Sequence, residues 1–299
     1  MGILVIGSIA FDSVETPFGK RNEVLGGSAT FFSLSARFFD TVSIVACVGE
    51  DFPGRMLAML RSKGIGIDGV EVLKGRTFRW KARYGADMNI ARTLATHLNV
   101  FSEFVPKIPA HLAGARTLFL ANIDPSLQDD VLRQVRRPRL VACDTMNFWI
   151  THKRKALRRL IRKVDIILLN DSEAKQLSGE ENLLKAAKAI RRMGPEIIVI
   201  KKGEHGVLLS TRGSHLLAPA YLLESIRDPT GAGDSFAGGM LGYLGRHRRI
   251  DEQAVRRSVI YGTIVASFAV EDFSVRRLLT LRKSDIMNRY RDFCRITRF

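Results

Sequence analysis

The sequence predicts an α/β fold in which a central, mostly parallel sheet is covered by helices on both faces and carries a small β-strand lid. Three observations predict it. Short, continuously apolar runs recur along the chain, as strands buried on both faces of a parallel sheet require. Segments of helical apolar spacing separate them, which implies right-handed βαβ units. Two stretches, approximately 11–24 and 75–100, break this rhythm and read as strands leaving the main layer to form the lid. No linker-like composition break, repeat or low-complexity tract divides the chain, so 1–299 reads as a single domain.

Taken in order, 3–7 reads as the first strand and 11–24 as the polar, turn-rich start of the lid. A Gly-Gly-Ser turn opens a helix over 29–39, followed by a strand at 42–48 and a helix at 54–63. The stretch 75–100 begins with the one-sided alternation of an exposed strand. Continuous apolar strands are predicted at 117–121, 140–143, 165–169 and 197–200, with helices at 128–135, 153–163 and 181–193 between or after them. The last third is mostly helical, over 235–244, 251–268 and 284–293.

The chain has 46% hydrophobic and 26% charged residues, the composition of a globular protein with a substantial core. Its net charge of +17 and pI near 10.3 favour anionic partners: nucleotides, phosphorylated metabolites, RNA or acidic membranes. The densest basic run, His152-Lys153-Arg154-Lys155 with Arg158, Arg159, Arg162 and Lys163, reads as the solvated face of a helix whose Leu157, Leu160 and Ile161 point inward. No recognition motif or interleaved aromatic residue accompanies it, which disfavours nucleic acid. Cys47, Cys143 and Cys294 match neither a metal cluster nor a CxxC pair. No signal-peptide pattern or membrane-length apolar run is present, so the expected location is the cytoplasm and no membrane partner is expected.

The chemistry concentrates in Asp228-Pro229-Thr230-Gly231-Ala232-Gly233-Asp234-Ser235-Phe236-Ala237-Gly238-Gly239-Met240. Gly231, Ala232 and Gly233 leave bare N–H groups at the start of an apolar helix, an anion cradle in which unpaired donors and the helix dipole act together. Asp234 beside it can accept a proton from an attacking hydroxyl while the cradle stabilises a transferring phosphoryl. The plainer alternative is a glycine turn whose Asp caps a helix. Asp12 follows the first strand, at the carboxyl end where open α/β sheets bind ligands, and could equally be a turn residue. Asn170 and Glu173 follow the strand at 165–169, where the Asn-Asp-Ser cluster also suits an N-cap. Gly26 and Gly27 suit an ordinary turn or a hinge between lid and helix.

The dozen residues around Asp234 resemble the C-terminal signature of the PfkB family, which includes ribokinase, fructokinase and adenosine kinase. Other segments are similar to the same family in the expected order: Gly7-Ser8-Ile9-Ala10-Phe11-Asp12, Gly26-Gly27-Ser28-Ala29, Val48-Gly49-Glu50-Asp51-Phe52-Pro53-Gly54, Asn170-Asp171-Ser172-Glu173 and Lys202-Gly203-Glu204-His205-Gly206. The resemblance spans residues 3 to about 275. It implies a ribokinase-like three-layer α/β/α sandwich with a β lid, and an ATP- and magnesium-dependent kinase acting on an alcohol group. In that frame Asp234 is the base and Gly231, Ala232 and Gly233 the cradle. Asp12, Gly26, Gly27 and Asn147 meet the acceptor; Asn170, Lys202, Gly203, Gly206 and Thr230 meet ATP. Glu173 holds magnesium through water. Asp228 is a candidate ligand of a monovalent cation, but the later loop, Val270-Glu271-Asp272-Phe273-Ser274-Val275, lacks the glycine usual in ribokinase, which puts a potassium requirement in doubt.

The acceptor stays open between a sugar or sugar-like molecule and a nucleoside. Phe78, Arg79, Trp80 and Tyr84 could cover a sugar or stack on a base, or equally form the lid's own core or a homodimer contact through the lid. Readings of another class are a copy of the fold without catalysis, which the retained Asp234 and cradle glycines disfavour, and an RNA-binding protein, which rests on charge alone.

Overall fold

A computed structural model describes residues 2–298. Strand β1 (Ile3–Ile6) enters the main sheet, and the chain leaves it at once for two lid strands, β2 (Ala10–Thr16) and β3 (Gly19–Gly26). It returns through α1 (Ser28–Ala36), β4 (Val42–Gly49), α2 (Gly54–Ser62) and β5 (Ile65–Leu73), then revisits the lid as β6 (Arg79–Tyr84) and β7 (Ala91–His97). The second half alternates: β8 (Thr117–Leu120), α3 (Pro125–Gln134), β9 (Leu140–Asp144), α4 (Asn147–His152), α5 (Arg154–Ile161), β10 (Ile166–Asn170), α6 (Asp171–Ser178), α7 (Leu183–Arg191) and β11 (Ile197–Lys201). A hairpin of β12 (Val207–Ser210) and β13 (His215–Ala218) follows, and α8 (Ala232–Gly245), α9 (Glu252–Ala269), α10 (Arg276–Thr280) and α11 (Lys283–Ile296) complete the order.

The main sheet runs β13-β12-β11-β10-β9-β8-β1-β4-β5, and the lid runs β3-β2-β6-β7. From β5 to β11 in that order every pairing is parallel; β12 and β13 add antiparallel strands at one edge. Alternation within the strands builds two cores. Ile3, Val5, Phe119 and Leu168 pack with Phe31, Leu241 and Val259 from α1, α8 and α9. Leu4, Ile6, Leu118 and Leu169 pack with Val131, Leu157, Leu177 and Ile190 from α3, α5, α6 and α7. This is the three-layer arrangement expected from the sequence.

Helix starts follow capping chemistry. Asp124, Asn182 and Asp251 each accept a backbone N–H in the first turn of α3, α7 and α9, satisfying donors that have no partner inside the helix. The helix expected over 153–163 forms as α5, and Lys153, whose φ of −125° lies outside the helical range, separates it from the short α4, which was not predicted. Strand β5 was not predicted, because Gly66, Asp68 and Gly69 dilute its apolar pattern. The short edge strands β12 and β13 were missed as well. Among the described residues no helix is long and apolar enough to cross a membrane.

The order of the main sheet reverses at β1: the chain first builds toward β4 and β5, then toward β8 and beyond. Such a switch point leaves a crevice at the strands' carboxyl ends. The lid springs from that end, and the loops carrying the candidate residues converge there.

Candidate active site

The turn before α8 sets the geometry. Gly231 is its N-cap with φ 73°, and a Cβ there would come within 2.3 Å of the Phe31 ring, so both backbone and space require glycine. Ala232 donates its N–H to the Pro229 carbonyl at 3.1 Å, so it is not bare as expected. Among the described residues, the N–H groups of Gly233 and Asp234 have no backbone acceptor, and they form the free part of the cradle. The loop is braced from below by Asp228, 1% exposed, which accepts the N–H of Thr230 at 2.9 Å and of Ser274 at 3.0 Å. Ser274 takes the left-handed φ of 57° in the loop that lacks a glycine. Thr230 donates its hydroxyl to Tyr84 of the lid at 3.3 Å, joining cradle and lid.

Asp234 is partly buried in the first turn of α8. Burial and the nearby Asp144 push its carboxyl pKa up to about 7, against the opposing pull of Lys201. Lys201, the last residue of β11, forms an ion pair at 3.0 Å with Asp144, the last residue of β9. Burial works to lower the Lys201 pKa, but Asp144, Glu173 and Asp234 outweigh it and hold the ammonium above its usual value. Glu173 lies one turn beyond β10 and is 6% exposed. It forms a reciprocal cap with Asn170: the Asn170 N–H donates to its carboxylate at 2.7 Å, and its own N–H donates to the Asn170 side chain at 2.8 Å. Burial and Asp144 raise its pKa to about 7 as well. The carboxyl ends of three neighbouring strands thus bring two carboxylates, Asp144 and Glu173, and the Lys201 ammonium beside Asp234 and the cradle.

A cavity of about 610 Å³ opens from this cluster, lined by Lys201, Gly203, Gly206, Gly233, Phe236 and Val270 among others. Its size and largely apolar lining suit a nucleotide. Asn89 from the β6–β7 hairpin reaches its rim and donates to Glu204 at 3.1 Å. Gly203 and Gly206 both line this cavity. Lys202 does not line the cavity; its N–H donates to the Gly206 carbonyl and holds the turn, while the neighbouring Lys201 faces the cavity.

On the lid side, Asp12 is 5% exposed, and its carboxylate lies over Gly26, where a Cβ would meet it at 1.9 Å. Gly27 has φ 95° and donates its N–H to Asp12. Burial, then Asp228 and Asp234, raise the Asp12 pKa to about 7, opposed by that hydrogen bond. Asp12 pairs with Trp80 across β2 and β6, so the two side chains share the face that also carries Ala82 and Tyr84. Phe78 instead stacks on Phe101 and belongs to the base of the lid. Asn147 is exposed and turned away, donating to Gln176 at 2.8 Å and Ser172 at 3.3 Å on α6.

Among the described residues no three His, Cys, Asp or Glu side chains are placed to cage a metal ion. Magnesium accompanying a nucleotide needs no such cage, since it keeps waters and takes one or two carboxylates besides the phosphates. The buried Glu173 beside the cavity fits that demand. Glu173→Gln keeps an acceptor for the Asn170 N–H, so the cap survives while the charge is lost. The magnesium concentration for half-maximal turnover is expected to rise severalfold; an unchanged titration would exclude Glu173 from the metal's surroundings.

The sequence reading passed over Asp144 and Lys201. The rule that singled out Asn170, that ligands gather at strand carboxyl ends, applies equally to both, but each was hidden by a polar neighbour, Asn147 three residues beyond Asp144 and Lys202 directly after Lys201.

The pfkB family carbohydrate kinase domain matches residues 4–280. A cytidine kinase from Thermococcus kodakarensis is 31% identical over 84% of this chain and 91% of its own length. Among solved structures, the Burkholderia thailandensis nucleoside kinase in complex with ADP-inosine superposes with TM-score 0.81 at 18% identity, covering 97% of this chain and 95% of that one. The Salmonella enterica aminoimidazole riboside kinase, complexed with aminoimidazole riboside and an ATP analog, superposes with TM-score 0.76 at 20% identity, covering 96% and 99%.

Proposed function

This chain belongs to the pfkB family of carbohydrate kinases, and we propose that it transfers the γ-phosphoryl of ATP to a hydroxyl of a nucleoside. The observation that carries this reading is the pairing of Asp12 with Trp80 on the inward face of the lid, within electrostatic reach of Asp234. A carboxylate that accepts hydrogen bonds from vicinal hydroxyls, beside an indole that stacks on a flat ring, suits a ribose carrying a base. The nucleoside acceptors named for the relatives above support the same choice.

In this reading Asp234 takes the hydroxyl proton of the bound acceptor as its oxygen attacks the γ-phosphorus. The bond to the β-phosphate oxygen breaks and ADP departs with that electron pair. The Gly233 and Asp234 N–H groups meet the charge that develops on the transferring group. Magnesium, when bound with ATP, neutralises phosphate charge, and Glu173 and its waters would hold it.

The test is ADP release with magnesium-ATP over cytidine, uridine, adenosine, inosine, guanosine, ribose and fructose. Stacking on an aromatic ring is worth about 1–3 kcal/mol, so the best nucleoside is expected to exceed free ribose in kcat/KM by about 10- to 100-fold. Ribose or fructose matching the best nucleoside would assign the site to a free sugar, for which Asp12 alone suffices.

A further inference from the structure

We propose that Lys201 is a further catalytic residue: its ammonium leaves a resting contact with Asp144 to bind the γ-phosphoryl group of ATP during transfer. The proposal rests on the kinase reading above and adds to it a residue that the glycine cradle and Asp234 do not require.

Four observations carry it. First, Lys201 is the one Lys or Arg among the described residues lining the 610 Å³ cavity. Second, its Nζ stands 3.0 Å from the position a Cβ on Gly233 would take, so it flanks the first turn of α8, where the free N–H groups of the cradle begin. Third, the ammonium has three N–H donors, and Asp144 takes one at 3.0 Å; no other hydrogen-bond partner for it is found among the described residues. Its side chain is 19% exposed against 8% for Asp144, so the accessible part of the pair is the cation. Fourth, Asp144, Glu173 and Asp234 all act on it electrostatically. A triphosphate entering a cluster of three carboxylates is repelled unless cations offset them, and Lys201 is the fixed protein cation at that place. A buried ion pair contributes little to stability by itself, because removing both charges from water costs about as much as their attraction returns. Its placement at the cavity wall accounts for it better as binding machinery held ready.

The chemistry balances without a proton from Lys201. The acceptor oxygen forms the new P–O bond, its proton goes to Asp234, and the bond to ADP breaks with the electrons leaving on ADP. Lys201 stays protonated and supplies charge to the phosphoryl oxygens throughout. Asp144 is a positioning residue that keeps the side chain extended along the cavity wall.

The test compares ATP and ADP affinity by calorimetry, alongside turnover, for the wild type, Lys201→Met and the double variant Lys201→Met/Asp144→Asn. The double variant leaves no unpaired Asp144 carboxylate, so it keeps the question answerable if the single one misfolds. Loss of a charge-assisted contact is expected to weaken ATP binding by about 10-fold or more and ADP binding by less than about threefold. Turnover is expected to fall on the order of a hundredfold. A folded variant with wild-type ATP affinity and turnover overturns the proposal, and so does an equal loss for ATP and ADP, which marks Lys201 as structural. If the wild type phosphorylates none of the nucleosides or sugars, the kinase reading fails; an ATP-selective loss of binding in Lys201→Met then still supports the γ-phosphate contact by itself.

Discussion

Asp234→Asn is expected to leave a folded protein that binds ATP and to lower turnover on the order of a hundredfold or more. The amide fits the same space at the start of α8 but cannot take the acceptor's proton. The elevated pKa adds two further expectations. In the wild type the carboxyl holds its proton to about pH 7 because burial and Asp144 disfavour the charge. Only the ionised form is a base, so kcat/KM falls as pH drops below about 7, far above the ordinary Asp range. The same shift acts on stability. An unfolded chain ionises this group near pH 4 and the folded chain near pH 7, so the fold loses stability as pH rises between those values and reaches a constant penalty above them. Asparagine mimics the neutral form and removes the penalty. Asp234→Asn should therefore melt higher than the wild type at pH 8, with the difference vanishing below about pH 4. Near-wild-type turnover in the folded variant would remove Asp234 from the role of base. An unchanged melting difference across that range would show that the carboxyl is not held at a cost.

The parts of the fold that could be read from the sequence are those where one physical signal dominates. Strands β1, β8, β9, β10 and β11 are buried on both faces, so each appears as an unbroken apolar run. Strand β5 lies at the sheet edge and alternates with Gly and Asp, and its assignment comes from pairing with β4 rather than from its own residues. The turn before α8 was legible because cradle, helix start and carboxylate are contiguous. The Asp144–Lys201 pair was not: the two residues are far apart in sequence, and only the neighbouring placement of β9, β10 and β11 brings them together. Asn147 illustrates the converse. It follows a strand end, as a site residue should, but it opens α4, and that helix carries its side chain toward Gln176 on α6. Strand-end position locates a residue near the crevice; the direction of its side chain depends on which element begins there.

Asp12→Ala is expected to lower kcat/KM for the acceptor by about 1.5–3 kcal/mol, roughly 10- to 150-fold, while the ATP dissociation constant stays nearly unchanged. Asp12 sits in the lid strand β2 against Gly26, whereas the cavity proposed for the nucleotide is lined by Lys201, Gly203 and Gly233, so the substitution is expected to touch one substrate and not the other. A parallel Asp12→Asn variant keeps an acceptor for the Gly27 N–H and separates lost charge from a disturbed turn. Its pH profile is the sharper readout. The carboxyl pKa values of Asp12 and Asp234 are both pushed up to about 7, and the charge of Asp234 contributes to the rise at Asp12. If both must be ionised, Asp12 to accept hydrogen bonds from the acceptor and Asp234 to take its proton, log kcat/KM for the acceptor climbs with a limiting slope of about 2 on the acid side. Asp12→Asn removes one of the two titrations and reduces that slope to about 1, with the remaining acid limb belonging to Asp234. A slope of about 1 in the wild type, unchanged in the variant, would mean that the Asp12 charge has no part in acceptor use. Equal losses of ATP affinity and acceptor use in both variants would assign Asp12 to holding the turn at Gly26 and Gly27, and the acceptor's hydroxyls would then have to be met elsewhere on the lid face that carries Trp80.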